Sequence, residues 1–209
     1  GAHHRVAVPG TRMGLPEVTL GLLPGAGGTQ RLPRAVGVTD AIDLITSGRQ
    51  IGAQQALDLG LIDALAQGTD PRAAGEAEAR RLLAEGSGPR RLSETPAPAV
   101  DPDMVQAWRA KVAKSARGQV APLRALDTIV AGLDLSFAKG MAQERQAFMD
   151  LMQTPERAAL IHAFFAERRA AQQDDPAGVK ARPVARIGII GGGTMGQGIA
   201  ASALTAGLD

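Results

Sequence analysis

Gly14-Leu15-Pro16-Glu17-Val18-Thr19-Leu20-Gly21-Leu22-Leu23-Pro24-Gly25-Ala26-Gly27-Gly28-Thr29-Gln30-Arg31-Leu32 sets one carboxylate, Glu17, among apolar residues and follows it with a glycine-rich bend. Glycines lack a Cβ, so backbone N–H groups in such a bend can approach a ligand closely. A carboxylate in apolar surroundings has its charged form disfavoured, which suits general acid or base work near neutral pH. Texture alone leaves open whether Glu17 is such a group or a surface glutamate beside a loop. The bend is not a phosphate-cradling P-loop, because the Lys-Ser/Thr pair that reaches phosphates and magnesium is missing.

Working outward, Thr39 reads as the cap of a helix over 41–46 stopped by Ser47-Gly48, and Gly60 ends a second helix over 53–59. Leu61 to Leu65 reads as a short strand or extended exit, and Gly1 to Val8 as a strand already under way. On such a strand His3 and His4 point to opposite faces and cannot chelate one metal. Residues 76–84 read as an exposed helix and 93–102 as a linker. Helical signals then dominate 103–173. Leu123, Leu126, Ile129, Val130 and Leu133 share one helical face, and Leu160, Ile161, Phe164 and Phe165 repeat the pattern after Thr154 (N-cap) and Pro155 (N1). Met104, Met141, Met149 and Met152 read as core gap-fillers, Trp108 as a packing anchor and His162 as a packing or surface residue.

The long stretch quoted first closely resembles the signature of the enoyl-CoA hydratase/isomerase (crotonase) family. Gly48-Arg49-Gln50-Ile51-Gly52-Ala53-Gln54-Gln55-Ala56-Leu57-Asp58-Leu59-Gly60-Leu61-Ile62-Asp63 is similar to that family's next segment, so the resemblance covers residues 1–65. It implies an α/β fold, the C-terminal half of a crotonase-type ββα spiral. It also implies acyl-CoA thioester substrates, with two glutamates flanking a water that adds across the double bond of a 2-enoyl-CoA. Glu17 matches the second glutamate, and the Gly25 N–H matches a backbone donor that helps hold the water. The first glutamate and both oxyanion donors belong to segments that would precede Gly1.

A second motif follows the apolar run Ile187-Gly188-Ile189-Ile190. Gly191-Gly192-Gly193-Thr194-Met195-Gly196 has the GxGxxG spacing and is followed by helix-forming residues 197–206. Such a turn needs its glycines for the tight bend, for close approach of a pyrophosphate and for strand–helix contact, with the anion at the helix N-terminus. A glycine-rich linker is the bland alternative. The stretch resembles the opening of the 3-hydroxyacyl-CoA dehydrogenase NAD domain, which implies NAD as cofactor and Gly191, Gly193, Thr194, Met195 and Gly196 as its contacts. Only the first βα unit of a Rossmann domain is expected here, with the ribose-binding acid and the dehydrogenase catalytic residues beyond Asp209.

The chain then divides into a partial crotonase core over 1–68 and a charged, Pro-rich connection over 69–102. A helical segment over 103–175 completes the hydratase domain and linker, and an NAD-binding opening covers 184–209. Glu144-Arg145-Gln146-Ala147-Phe148, Thr154-Pro155-Glu156 and Phe164-Phe165-Ala166-Glu167-Arg168 are similar to the same multifunctional β-oxidation family's linker helices. Glu167 aligns there with an acidic position associated with substrate in some members, although a solvated helix carboxylate is the reading preferred.

The absence of cysteine excludes disulfides, thiolate metal sites and thiol nucleophiles, and no metal ligand set is expected. Aromatic residues make up only 2% of the chain, too few for base stacking, and the arginines are scattered, so nucleic acid is not expected as a partner. No apolar run is long enough for a transmembrane segment, and no secretory leader is visible. The resemblance implies a bacterial cytoplasmic protein, with a peroxisomal one left open, and leaves room for a thiolase subunit and for oligomerisation. The function expected is hydration of 2-trans-enoyl-CoA and NAD-dependent oxidation of the 3-hydroxyacyl-CoA product. The alternative is a non-catalytic acyl-CoA or NAD-binding relative that kept the fold. Residues 1–209 alone are expected to lack both activities and to be aggregation-prone.

Overall fold

A computed structural model describes residues 2–172 and 182–209; the end of the expected helical stretch, at residue 173, lies outside them. Two compact units emerge, Gly1–Arg168 and Arg169–Asp209.

In the first unit, two short strand pairs frame a helical body. β1 (Val6–Ala7) pairs in parallel with β4 (Ala64–Leu65), Val6 opposite Ala64, and β2 (Arg12–Met13) pairs antiparallel with β3 (Ile51–Gly52), Met13 opposite Ile51. The strand expected from Gly1 begins only at Val6. His3 and His4 lie in a bend before it, so the opposite-faces argument does not apply to them. Instead, His4 Nε2 sits 2.6 Å from Glu78 Oε1 and His3 Nδ1 lies 2.9 Å from the Arg90 carbonyl.

Between β2 and β3 come a 3-10 turn (Pro16–Leu20), α1 (Gly28–Val36) and α2 (Val38–Ser47). Gly37, at φ +87°, turns the chain from α1 into α2 in one residue. The helix therefore begins at Val38 and Thr39 is not its cap; the Thr39 hydroxyl reaches Met104 Sδ at 3.4 Å. The Gly48 stop is as expected, with φ +66° and its N–H on the Leu44 carbonyl. α2 buries Val38, Ala41, Ile42, Leu44 and Ile45, the spacing of one helical face. α3 (Ala53–Asp58) ends at Leu59-Gly60, as read.

α4 (Pro71–Ala84) starts five residues before the expected 76 because Asp70 caps it, accepting from the Arg72 and Ala73 N–H groups, with Pro71 at N1. It buries nothing and is laced with Arg–Glu pairs, as an exposed helix should be.

α5 (Pro102–Ala116), α6 (Val120–Leu133) and α7 (Phe137–Met152) supply the rest of the core, with α6 packed on α1, α2, α5 and α7. The face of α6 that goes inside is Ala121, Ala125, Leu126, Ile129 and Gly132. Of the five residues expected inside, Leu123, Val130 and Leu133 are only half-buried, because small residues let α1 and α7 approach closely. Trp108 is half-buried against the core with the Lys111 ammonium 4.0 Å over its ring, an anchor as expected. Met149 is exposed and fills no gap.

Thr154 does cap α8 (Pro155–Ala171), accepting from the Arg157 N–H at 3.2 Å. The apolar pattern beyond it is not buried: α8 contributes no buried residue, and Phe164 and Phe165 stack edge to face on its exposed surface.

In the second unit, α9 (Thr194–Thr205) follows an extended segment. The expected strand Ile187–Ile190 forms no ladder of its own. Among the described residues its pairing is the Ile187 N–H on the Asp209 carbonyl at 2.8 Å, beside the Asp209 N–H on the Ala185 carbonyl at 2.9 Å. Those two bonds, straddling Arg186, have the parallel pattern.

Candidate active site

Glu17 stands in the 3-10 turn, half-buried, on the wall of a cavity of about 590 Å³ in the first unit. Val6, Val8, Met13 and Leu15 give that cavity an apolar lining, and Arg5 and Arg31 bring positive charge to it. Glu17 Oε2 is shielded from solvent and has no hydrogen-bond partner. Burial pushes the Glu17 carboxyl above its ordinary value, and the negative charge of Glu144 adds to this, while a backbone hydrogen bond at Glu17 opposes them. A carboxyl so placed holds its proton more tightly than a free glutamate does.

The glycine-rich turn also lines the cavity through Pro24, Ala26, Gly27 and Gly28, whereas Gly25 does not. Gly25 lies under Phe148, whose ring a Cβ would meet at 2.6 Å. The turn then enters α1 through Gly27 at φ +90°. A helix start leaves several N–H groups without intrahelical partners, and no local side chain caps this one. The cap comes from α7. Glu144, fully buried, accepts the Gly27 N–H at 2.5 Å and the Thr29 N–H at 2.8 Å. It also takes the Thr29 hydroxyl at 2.6 Å, and that hydroxyl accepts from Gln30 Nε2 at 3.1 Å. Gln30 in turn fills the space left by Gly132 and Gly140, where a Cβ would run into its amide.

One face of α7 therefore reads the turn in reverse order: Gly140 against Gln30, Glu144 against Thr29 and Gly27, Phe148 against Gly25. The spacing of four residues keeps all three on one helical stripe. At the other end, Gly21 (φ +72°) lies against the Arg157 backbone, 2.9 Å from where a Cβ would stand, so the start of α8 closes on the 3-10 turn. Glu144, Thr29 and Gln30 were not singled out as site residues from sequence, and no local pattern distinguishes a buried helix glutamate from a solvated one. Glu167 is exposed on α8, the solvated carboxylate expected.

In the second unit, Gly191 takes φ +106° and Gly196 packs so tightly that a Cβ would strike the Gly191 carbonyl, whereas a Cβ on Gly193 would meet nothing. Gly193 caps α9, the Gln197 N–H reaches its carbonyl, and Thr194 and Met195 border an open hollow with Ile187 and Ile199. The tight contact and the open approach are what a dinucleotide turn requires of these two positions.

A carboxyl raised by burial thus stands beside an apolar cavity that the glycine turn also lines. Residues 3–87 match the enoyl-CoA hydratase/isomerase family, so this segment carries a crotonase-type α/β fold. Along nearly its whole length, the chain is similar to part of the sequence of bifunctional enzymes. It is 41% identical over 210 residues to the peroxisomal bifunctional enzyme of Cavia porcellus and 40% identical to that of Homo sapiens, in each case over 97% of this chain. The chain spans 29% of the length of those relatives. A carnitinyl-CoA hydratase structure from Mycobacterium avium is 26% identical, covering 78% of this chain and 51% of that one, with a TM-score of 0.47.

Proposed function

We propose that the first unit contributes to the hydration of 2-trans-enoyl-CoA, with Glu17 as a general acid/base. The observation that carries this is the Glu17 carboxyl, raised by burial and standing on the wall of an apolar cavity that the glycine turn also lines. In hydration the water oxygen bonds to the β-carbon of the enoyl thioester and a proton is placed on the α-carbon. Glu17 holds and moves that proton, and the apolar wall keeps bulk water from competing. The Gly25 N–H as a holder of the water rests on the family resemblance. The names of the mammalian relatives support a bifunctional, peroxisomal enzyme; the bacterial cytoplasmic location expected from sequence has no comparable support among them.

For the second unit the proposal is the opening turn of an NAD-binding domain. Gly191, Gly193 and Gly196 shape the turn, and Thr194 and Met195 lie beside the approach to α9. Support comes from the open face at Gly193 and the parallel bonding of Ala185 and Ile187 to Asp209, as at the start of a βαβ crossover. NAD bound there would supply the hydride acceptor for oxidation of 3-hydroxyacyl-CoA. Thiolase association and oligomerisation remain proposals from the resemblance alone.

The test is Glu17→Gln in a full-length protein carrying this sequence. Hydration of crotonyl-CoA should fall by about two orders of magnitude or more, while NAD-dependent oxidation of 3-hydroxybutyryl-CoA continues. Unchanged hydration in a folded variant would remove Glu17 from the reaction, whereas no hydration by the unsubstituted protein would favour the non-catalytic acyl-CoA-binding alternative.

A further inference from the structure

We infer that Glu144 is a positioning residue. From α7, behind the cavity wall, it fixes the backbone of the glycine turn and the start of α1 and so sets part of the wall of the cavity that Glu17 also lines. This rests on the hydration reading of Glu17.

The three donors on the Glu144 carboxylate all belong to Gly27 and Thr29, and none comes from its own helix. A buried anion at a helix N-terminus is stabilised both by those N–H groups and by the helix dipole. Its side chain is unreachable for a ligand, because it is fully buried and absent from the cavity lining. Its effect must pass through the turn. Among the described residues the other side-chain tether on the turn is the half-buried Arg31, whose guanidinium donates to the Ala26 carbonyl. Gly27 and Gly28 line the cavity on one face and meet Glu144 or its neighbour Thr29 on the other, and Gly28 also approaches Leu15, two residues before Glu17. Releasing the carboxylate would free a turn that glycine alone cannot hold in one conformation.

Glu144 acts on Glu17 in a second way, by charge. Its negative charge adds to the effect of burial in raising the Glu17 carboxyl. Arg5 and Arg31 line the same cavity and Arg157 lies against Gly21, and all three keep their own charge when Glu144 is changed.

The experiment uses the full-length protein. Glu144→Gln keeps the shape and removes the charge. Crotonyl-CoA hydration should then lose about tenfold or more in kcat with KM changed by less than about threefold, as displaced geometry rather than lost binding predicts. The Glu17 ionisation, followed both in the pH–rate profile and by 13C NMR of its carboxyl, should move to lower pH. Thr29→Val should lower kcat in the same sense and Thr29→Ser should restore it; this pair decides the matter if Glu144→Gln does not fold. Unchanged kcat and an unchanged Glu17 ionisation in a folded Glu144→Gln protein would overturn the inference, as would normal kcat in Thr29→Val. Glu17→Gln measured in parallel separates the two claims. Retained hydration there sinks the role of Glu17, while the NMR midpoint in Glu144→Gln still tests the coupling.

Discussion

Thr29 donates to Glu144 twice, from its backbone N–H at 2.8 Å and from its hydroxyl at 2.6 Å, across 115 residues of chain. The pair joins the glycine turn of the first motif to a helix that sequence reading assigned to a later segment. Hydrogen bonds to a buried charged group are worth about 1.5–3 kcal/mol each. Thr29→Val, which keeps the shape and deletes the hydroxyl, is therefore expected to cost about 1–3 kcal/mol by urea denaturation. Thr29→Ser should stay within about 1 kcal/mol of the parent, since it loses only a methyl group. Equal stability of the valine and serine variants would show that the hydroxyl contributes nothing.

Glu17 carries a stability cost whose sign is fixed by its raised carboxyl. A group that binds its proton more tightly when folded adds stability below its unfolded value and loses it as pH rises through the folded one. Glu17→Gln should therefore stabilise the protein at pH 7 to 8, with the gain disappearing below about pH 4, where the unfolded carboxylate is itself protonated. Denaturation midpoints of both proteins at pH 4 and pH 8 check this. A gain of equal size at both ends would assign it to packing instead.

Gln30 fills the space between α6 and α7 that Gly132 and Gly140 leave open. Gly140→Ala should cost about 1–3 kcal/mol through overpacking, despite the better helix propensity of alanine. In a Gln30→Ala background the same change should be neutral or favourable. A double-mutant cycle with coupling under about 0.5 kcal/mol would contradict direct contact.

In the second unit, Gly193 and Gly196 are expected to fail differently. Gly193→Val puts a side chain into open space, so the unit should keep its structure and lose about tenfold or more in NADH affinity if a dinucleotide approaches there. Gly196→Ala drives its Cβ into the Gly191 carbonyl and should disturb the turn with or without NADH. Fluorescence titration with NADH and circular dichroism of both variants separate these outcomes. Unchanged NADH affinity in Gly193→Val would remove the dinucleotide reading of this turn.

The sequence by itself determined what is local. The helix stop at Gly48, the ends of α3, the cap at Thr154 and the exposed character of α4 follow from residues within a turn of one another. The Glu17 motif and the family it points to were legible because a long run of specific residues carries them. Tertiary structure decided what depends on partners far along the chain. Leu123 and Val130 read as core, yet Ala125 and Gly132 go inside, because the closeness of α1 and α7 selects small residues and periodicity cannot see a neighbour's distance. Phe164 and Phe165 have the right spacing for a buried face and are not covered. Glu144 reads as one more charged helix residue, and only the meeting of α7 with the glycine turn makes it the cap of α1. Burial and hydrogen bonding of a charge belong to the folded contact, not to the local sequence, so the residue that anchors the turn was the one sequence could not name.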